Sequence, residues 1–381
     1  MLAGVVTAVV GFSSSFALVL TGLTAQGATT AQAASGLLVL CLAMALGIVV
    51  LAVRYRMPIT LAWSTPGAAL LASAQGSAAD WSAAIGAFLV VAGLTALTGW
   101  WPWLARKLAA IPLSIANAML AGVLIPICVT AFTTLGRTPA YAAPILLAWL
   151  VGYALLRRWA VPLALLAALV VVGLTLDASP SATDLLPQLT WTTPTLDWRL
   201  VVGLAVPLFL VNIASQYAPG VAVMKTYGYA VPWRPTMLVT AGVTAVAAPS
   251  GGFAVNLAAI SSALSASPEA HPDQHRRWVA AVAAAGSYLV LGTLSAAAAF
   301  VLTHSPTGLI ITVAALALLG PLGSALQQCV AEVADREAAV VTLVATASGI
   351  SLLGVGAAFW GLAAGLLVRT ALRRTTAQPR G

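Results

Sequence analysis

Apolar runs of about twenty residues follow one another along almost the whole chain, and charged residues are confined to the short gaps between them. Residues 32–53, for example, contain no Asp, Glu, Lys or Arg before Arg54 is reached. Only 7% of the 381 residues are charged, against about a quarter in soluble domains. So few charges cannot cover the surface of a water-soluble chain of this length, whose mean hydropathy is +1.01. In lipid every backbone polar group needs an internal partner, which leaves helices or closed barrels. The runs are continuous and lack the roughly ten-residue alternating segments of barrel strands. The sequence therefore reads as an all-α polytopic membrane protein.

Candidate segments fall near residues 4–25, 32–53, 58–75, 81–101, 112–133, 140–156, 160–176, 199–217, 235–248, 253–266, 276–302, 307–327, 337–353 and 354–371, fourteen in all. The first run has no Lys or Arg ahead of it and is long, so it reads as a span and not as a signal peptide. With a cytoplasmic N-terminus, Arg54, Arg56, Arg106, Lys107, Arg157, Arg158, Lys225, Arg234, Arg276, Arg277, Arg336 and the tail from Arg369 all lie inside. Arg137 and Arg199 alone fall outside, and the C-terminus is cytoplasmic too. The net charge of +8 is thus a matter of topology, and no nucleic-acid partner is expected. Cys41, Cys128 and Cys329 each stand alone in an apolar segment, as packing residues do.

The polar loop 177–197 separates seven segments from seven. An odd number per half inverts one half relative to the other, and inverted repeats place a site at the midplane, built from discontinuous helices. The third segment is broken in this way: Trp63-Ser64-Thr65 precede Pro66 and a short apolar run. Its counterpart in the second half has Pro249-Ser250-Gly251-Gly252 before Phe253. Thr65 is expected to cap a helix with Pro66 at its first position. Gly251 and Gly252 are expected to offer bare amides to a helix starting at Phe253. Two such positive ends make an anion site without Lys or Arg.

Polar residues collect at matching places. They are Ser13, Ser14 and Ser15 in the first segment, Asn212, Ser215 and Gln216 in the eighth, and Asn256 in the tenth. Serines also serve plain helix packing, whereas Asn and Gln in lipid are costly and should face the interior. Phe12, Trp63 and Phe253 flank them, as core residues or as a surface for a flat apolar ligand. No Asp or Glu falls in mid-segment, which leaves a proton-carrying side chain unassigned, with Glu332 the nearest alternative. "HPDQH" at 271–275 is a weak metal motif and reads better as a polar loop; Gly361-x-x-x-Gly365 suits close helix packing. No fingerprint of an enzyme or of a cofactor site occurs.

The stretches "RYRMPITLAWSTPGAALLA", "ASQYAPGVAVMKTYGY", "GGFAVNLAAISSAL" with "PEAHPD" and "RRW", and "TASGISLLGVGAAFWGLAAGLL" resemble the bacterial benzoate/proton symporters. That family is similar in architecture to nucleobase and sulfate-type carriers. The resemblance implies a seven-plus-seven inverted repeat with a short strand and a half-helix in segments three and ten. It implies core parts at 1–106 and 199–304 and gate parts at 107–180 and 305–372, with a loop at 181–198 and a tail at 373–381. It further implies benzoate or a close aromatic carboxylate, carried inward with protons across the bacterial inner membrane, and it admits a homodimer. Nucleobase carriers hold acidic residues in segments eight and ten; Asn212, Gln216 and Asn256 stand there instead, which suits an anion. The expected substrate residues are Phe12, Ser13, Ser14, Trp63, Ser64, Thr65, Asn212, Gln216, Gly251, Gly252, Phe253 and Asn256.

Overall fold

A computed structural model describes residues 1–73, 80–101, 112–156, 159–175, 185–258, 260–306, 308–353 and 355–376. The chain is a mostly helical membrane protein. The first half runs α1 (Leu2–Ala25), α2 (Thr30–Tyr55), β1 (Leu61–Trp63), α3 (Thr65–Ser73), α4 (Trp81–Trp100), α5 (Leu113–Arg137), α6 (Pro139–Leu155) and α7 (Ala160–Thr175). The second runs α8 (Trp198–Thr226), α9 (Trp233–Ala247), β2 (Val255–Leu257), α10 (Ile260–Ala266), α11 (Trp278–Gly292), α12 (Ser295–His304), α13 (Leu309–Ala331), α14 (Arg336–Ala347) and α15 (Ala357–Thr376). Among the described residues, six helices are long and apolar enough to cross a membrane, namely α1, α2, α4, α5, α8 and α13. α11 and α12, bent by 53° at their break, are long and apolar enough only when taken together. Apart from the 20-residue α15, the remaining helices are shorter, down to nine residues in α3 and seven in α10.

Local chemistry sets the boundaries. Thr29 and Gln32 form a reciprocal capping box at the start of α2, and Asp80 and Asp197 cap α4 and α8. Small residues let the helices close on one another: a Cβ on Gly4 would meet the backbone of Ala280. Gly361 and Gly365 seat α15 on Thr346 and Thr342 of α14, so the small-xxx-small motif is a packing face. The helices associate mainly in two sets. In one, α1 packs on α3 and α11, α2 on α11, and α4 on α9; in the other, α5 packs on α13 and α14, α14 on α15, and α6 on α7.

β1 and β2 pair antiparallel, Leu61 with Leu257, Ala62 with Asn256 and Trp63 with Val255. A two-stranded ribbon inside a membrane protein must satisfy its outer edges from neighbouring helices. Met44 Sδ of α2 accepts from the Trp63 amide at 3.1 Å. Thr244 Oγ1 of α9 accepts from the Val255 amide at 3.0 Å, and the Tyr217 hydroxyl of α8 donates to the Val255 carbonyl at 3.4 Å.

Two sequence expectations need correction here. Ser64, not Thr65, caps α3: its Oγ accepts from the Gly67 amide at 2.9 Å, because Pro66 sits at the second position and offers no donor. No helix starts at Phe253. The Gly251 and Gly252 amides are not bare; they donate to the Ala248 and Ala247 carbonyls and close the end of α9. Gly251 does so in the left-handed region at φ 97°, where a Cβ would collide with Gly36 of α2. The chain then enters β2, and α10 begins only at Ile260.

Candidate functional site

α1 brings one polar and one aromatic strip to the β1–α3 junction. The Trp63 indole N–H donates to Ser15 Oγ at 2.9 Å, and Ser15 Oγ donates in turn to the Gly11 carbonyl at 3.1 Å. Phe12 lies edge-on to Trp63 at 5.8 Å between centroids and stacks on Phe16 at 5.4 Å; Tyr288 of α11 meets the other side of Trp63 at 6.4 Å. Gly11 leaves the space that the Tyr288 hydroxyl occupies. Ser13 and Ser14 donate to the Val10 and Gly11 carbonyls at 3.3 and 3.0 Å. A hydroxyl has one proton, so both serines present only lone pairs to anything beside the helix.

The first turn of α3 is nearly closed. The Ser64 amide donates to the Ala254 carbonyl at 3.0 Å, Pro66 has no N–H and Ser64 Oγ takes the Gly67 amide. Thr65 is half-buried, and its N–H in the first turn of α3 is left without a partner among the described residues. α10 adds a polar contact, Thr60 Oγ1 to Ser262 Oγ at 3.1 Å, which ties the approach of β1 to the second half.

α8 carries the feature least visible in the sequence. Two turns widen to π geometry, Val201–Ala205 and Ile213–Tyr217. Each ends two residues before a proline, Pro207 and Pro219, whose ring excludes the regular bond to the preceding turn. Such turns concentrate at functional sites. The second contains Ser215 and Gln216, follows Asn212 directly, and packs against β2. Asn212 is 2% exposed and Asn256 is fully buried. Asn212 Oδ1 and both side-chain atoms of Asn256 have no hydrogen-bond partner among the described residues. Burying an unpaired amide group costs about 1–3 kcal/mol, so these side chains are held against a penalty.

The expected residues thus divide. The structure brings Phe12 and Trp63 together at the α1–β1–α3 junction, next to Ser64 and Thr65, while Ser13 and Ser14 bond only within α1; the π turn that carries Gln216 and follows Asn212 packs on β2, which carries Asn256. Gly251 and Gly252 stand apart at the α9–α2 contact, and Phe253 packs on Phe88 of α4 at 6.1 Å. The "HPDQH" loop is a turn: His271 Nδ1 accepts from the Asp273 amide, Asp273 Oδ1 accepts from the His275 amide, and the buried Arg277 donates to the Ala266 carbonyl at the end of α10. Glu332 is exposed. The carboxylate that is buried among the described residues is Asp335, paired with Arg369 at 2.7 Å and near Arg373 at 3.7 Å. Its position in a short polar gap gave no sequence signal.

Comparison with known proteins places this geometry. Over 367 residues the chain is 40% identical to the inner membrane protein YdcO of Escherichia coli K12, covering 96% of this chain and 93% of that one. It is 28% identical over 318 residues to the benzoate membrane transport protein of Acinetobacter baylyi, covering 83% and 80%. The fold is similar to that of SLC26A9, with a TM-score of 0.63 at 13% identity over 100% of this chain and 66% of that one. Murine Slc26a9, described as an anion transporter in the inward-facing state, gives 0.65 at 11%, covering 100% and 69%. The transmembrane domain of the cyanobacterial bicarbonate transporter BicA gives 0.58 at 11%, covering 99% and 97%. The chain therefore spans about two thirds of the SLC26A9 chains and nearly all of the BicA domain. The sequence profile of the benzoate membrane transport proteins, BenE, matches residues 1–371, and the chain belongs to that family of membrane transporters, not of enzymes.

Proposed function

We propose that this protein imports benzoate or a related aromatic carboxylate with protons across the bacterial inner membrane. The observation that carries the reading is Asn256: fully buried, on the strand that faces the α3 start, with neither amide atom paired among the described residues. A carboxylate answers the unused amide donor, and once protonated it answers the acceptor as well. The Thr65 N–H and the amide of Gln216 complete the polar side of the site, and the Phe12–Trp63 pair bounds the ring. Ser13 and Ser14 contribute acceptors. The name of the Escherichia coli relative supports the inner membrane, and that of the Acinetobacter relative supports benzoate.

In this reading the elements form fourteen segments in two inverted sevens. Segments one to four and eight to eleven make a core that slides or rocks against a gate made from the rest, with both termini cytoplasmic. The two packed sets of helices support that division. Proteoliposomes decide the matter: labelled benzoate accumulates when the outside is acidified, and uptake that ignores the proton gradient sinks symport. That outcome would favour an uncoupled anion pathway on the same fold, a reading suggested by the anion transporter among the structural neighbours.

A further inference from the structure

α11 turns a face of small side chains to the rest of the bundle. Its buried residues are Ala280, Ala281, Ala284, Ala285, Gly292 and a single large one, Tyr288. α1 meets this face with glycines. A Cβ on Gly4 would strike the Ala280 carbonyl and the Ala284 amide, and a Cβ on Gly11 would lie 2.9 Å from the Tyr288 hydroxyl oxygen. Small residues let two helices approach until their backbones nearly touch. A phenol on such a face fits only where its partner has given up a side chain, and Gly11 is that place.

Tyr288 and Trp63 are both buried, and their rings meet edge to face at 6.4 Å. The Tyr288 hydroxyl is set against Gly11 of α1 and Ser261 of α10. Gly11 also closes a second path to Trp63. Its carbonyl accepts from Ser15 Oγ at 3.1 Å, and Ser15 Oγ accepts from the Trp63 indole N–H at 2.9 Å. Trp63, Ser15, Gly11 and Tyr288 therefore form a closed circuit drawn from β1, α1 and α11. An indole held by its N–H alone can still swing about that bond. The phenol packed on its ring removes the swing, while Phe12 lies edge-on at 5.8 Å.

We infer that Tyr288 is a positioning residue: it backs Trp63 and, through Trp63, sets the size of aromatic ring that the site accepts. The inference deepens the aromatic carboxylate reading above and rests on it. Tyr288 acts from behind the indole and not on the substrate. A smaller residue at 288 leaves a void into which the indole retreats, and the site then takes a broader ring. A methyl group at residue 11 displaces the phenol, and with it the indole packed on its ring.

The test measures initial uptake of labelled benzoate and of its bicyclic analogue naphthoate by proteoliposomes holding the full chain. Gly11→Ala is expected to raise KM for benzoate about tenfold, a larger change than in its maximal rate. Tyr288→Phe removes the oxygen that the new methyl group meets. The double variant Gly11→Ala with Tyr288→Phe is therefore expected to return KM to within about twofold of Tyr288→Phe alone. Tyr288→Ala is expected to shift the ratio of kcat/KM for naphthoate over benzoate about tenfold toward the larger ring. A residue that only fills the core changes both acids by one factor and leaves that ratio where it was. If Tyr288→Ala does not fold, Tyr288→Leu carries the same comparison, and the Gly11 pair is read independently of either. An unchanged ratio, a Gly11→Ala protein that behaves as the parent, or a Gly11→Ala defect that Tyr288→Phe does not relieve overturns the proposal. The parent tells the two failures apart: uptake of benzoate with an unchanged ratio removes the role of Tyr288 alone, and absence of uptake removes the substrate reading and the proposal with it.

Discussion

Each unpaired buried polar group costs about 1–3 kcal/mol, and Asn256 holds two of them. Asn256→Ala should therefore leave thermal stability unchanged or higher, the small cavity offsetting part of the gain, while benzoate affinity falls by about tenfold or more. A melting curve and a binding isotherm on the same preparation check this, and a destabilised variant with intact affinity would make Asn256 a packing residue. Asp335 should behave in the opposite way. Removing it leaves the half-buried Arg369 without its carboxylate, and Arg369 is 21% exposed, so Asp335→Ala should cost about 2 kcal/mol, below the usual figure for a fully buried pair. Adding Arg369→Met should recover most of that loss in a double-mutant cycle. The contrast reflects what a sequence discloses about single residues. Asn212 and Asn256 stand out because an amide in an apolar run has to be explained. Asp335 does not, because a carboxylate in a polar gap looks solvated. Gly251-Gly252 was ambiguous for another reason: glycine ahead of an apolar stretch can open the next helix or close the last, and the left-handed φ of Gly251 belongs to the second case.

The two broken elements were readable in the sequence from Pro66 and Pro249, but their geometry was not. Strands of three residues have no periodicity to detect, and β1 and β2 find each other across about half of the chain. The π turns of α8 left one trace, the prolines that follow them. They lead to a prediction about the element as a whole. Pro219→Ala restores an N–H and removes the ring clash, allowing Ile213–Tyr217 to tighten to α geometry. Tightening rotates Asn212 and the residues before it relative to Gln216 and those after. The helix should become more stable by roughly 1 kcal/mol or more, and benzoate affinity should fall by about tenfold, because the penalty of the wide turn is exchanged for misaligned side chains. Unchanged affinity in a stabilised variant would detach the π turn from binding.

At the scale of the whole molecule, charge scarcity alone led to a helical membrane protein, and the Lys and Arg pattern led to an orientation. What no local pattern contains is the space between the two packed sets of helices, because a cavity belongs to surfaces that meet only after folding. If the substrate reaches Asn256 through that space, filling it should stop transport without touching recognition. Thr130 on α5 lines the cavity, is half-buried, and spends its hydroxyl on its own helix, so Thr130→Trp removes no contact between helices. The variant should unfold within about 0.5 kcal/mol of the parent, as exposed-side changes usually do. Uptake should drop by about tenfold or more and equally for every aromatic acid, since a plug costs all passengers the same steric work. A recognition residue acts otherwise: Asn256→Ala should change the ratio of benzoate to benzamide affinity, because one ligand needs the lost amide differently from the other. Initial uptake rates for benzoate and two ring-substituted analogues distinguish the cases. A Thr130→Trp protein that transports at the parental rate would take the cavity off the route, and one that loses a single analogue would move Thr130 from the passage into the binding site itself.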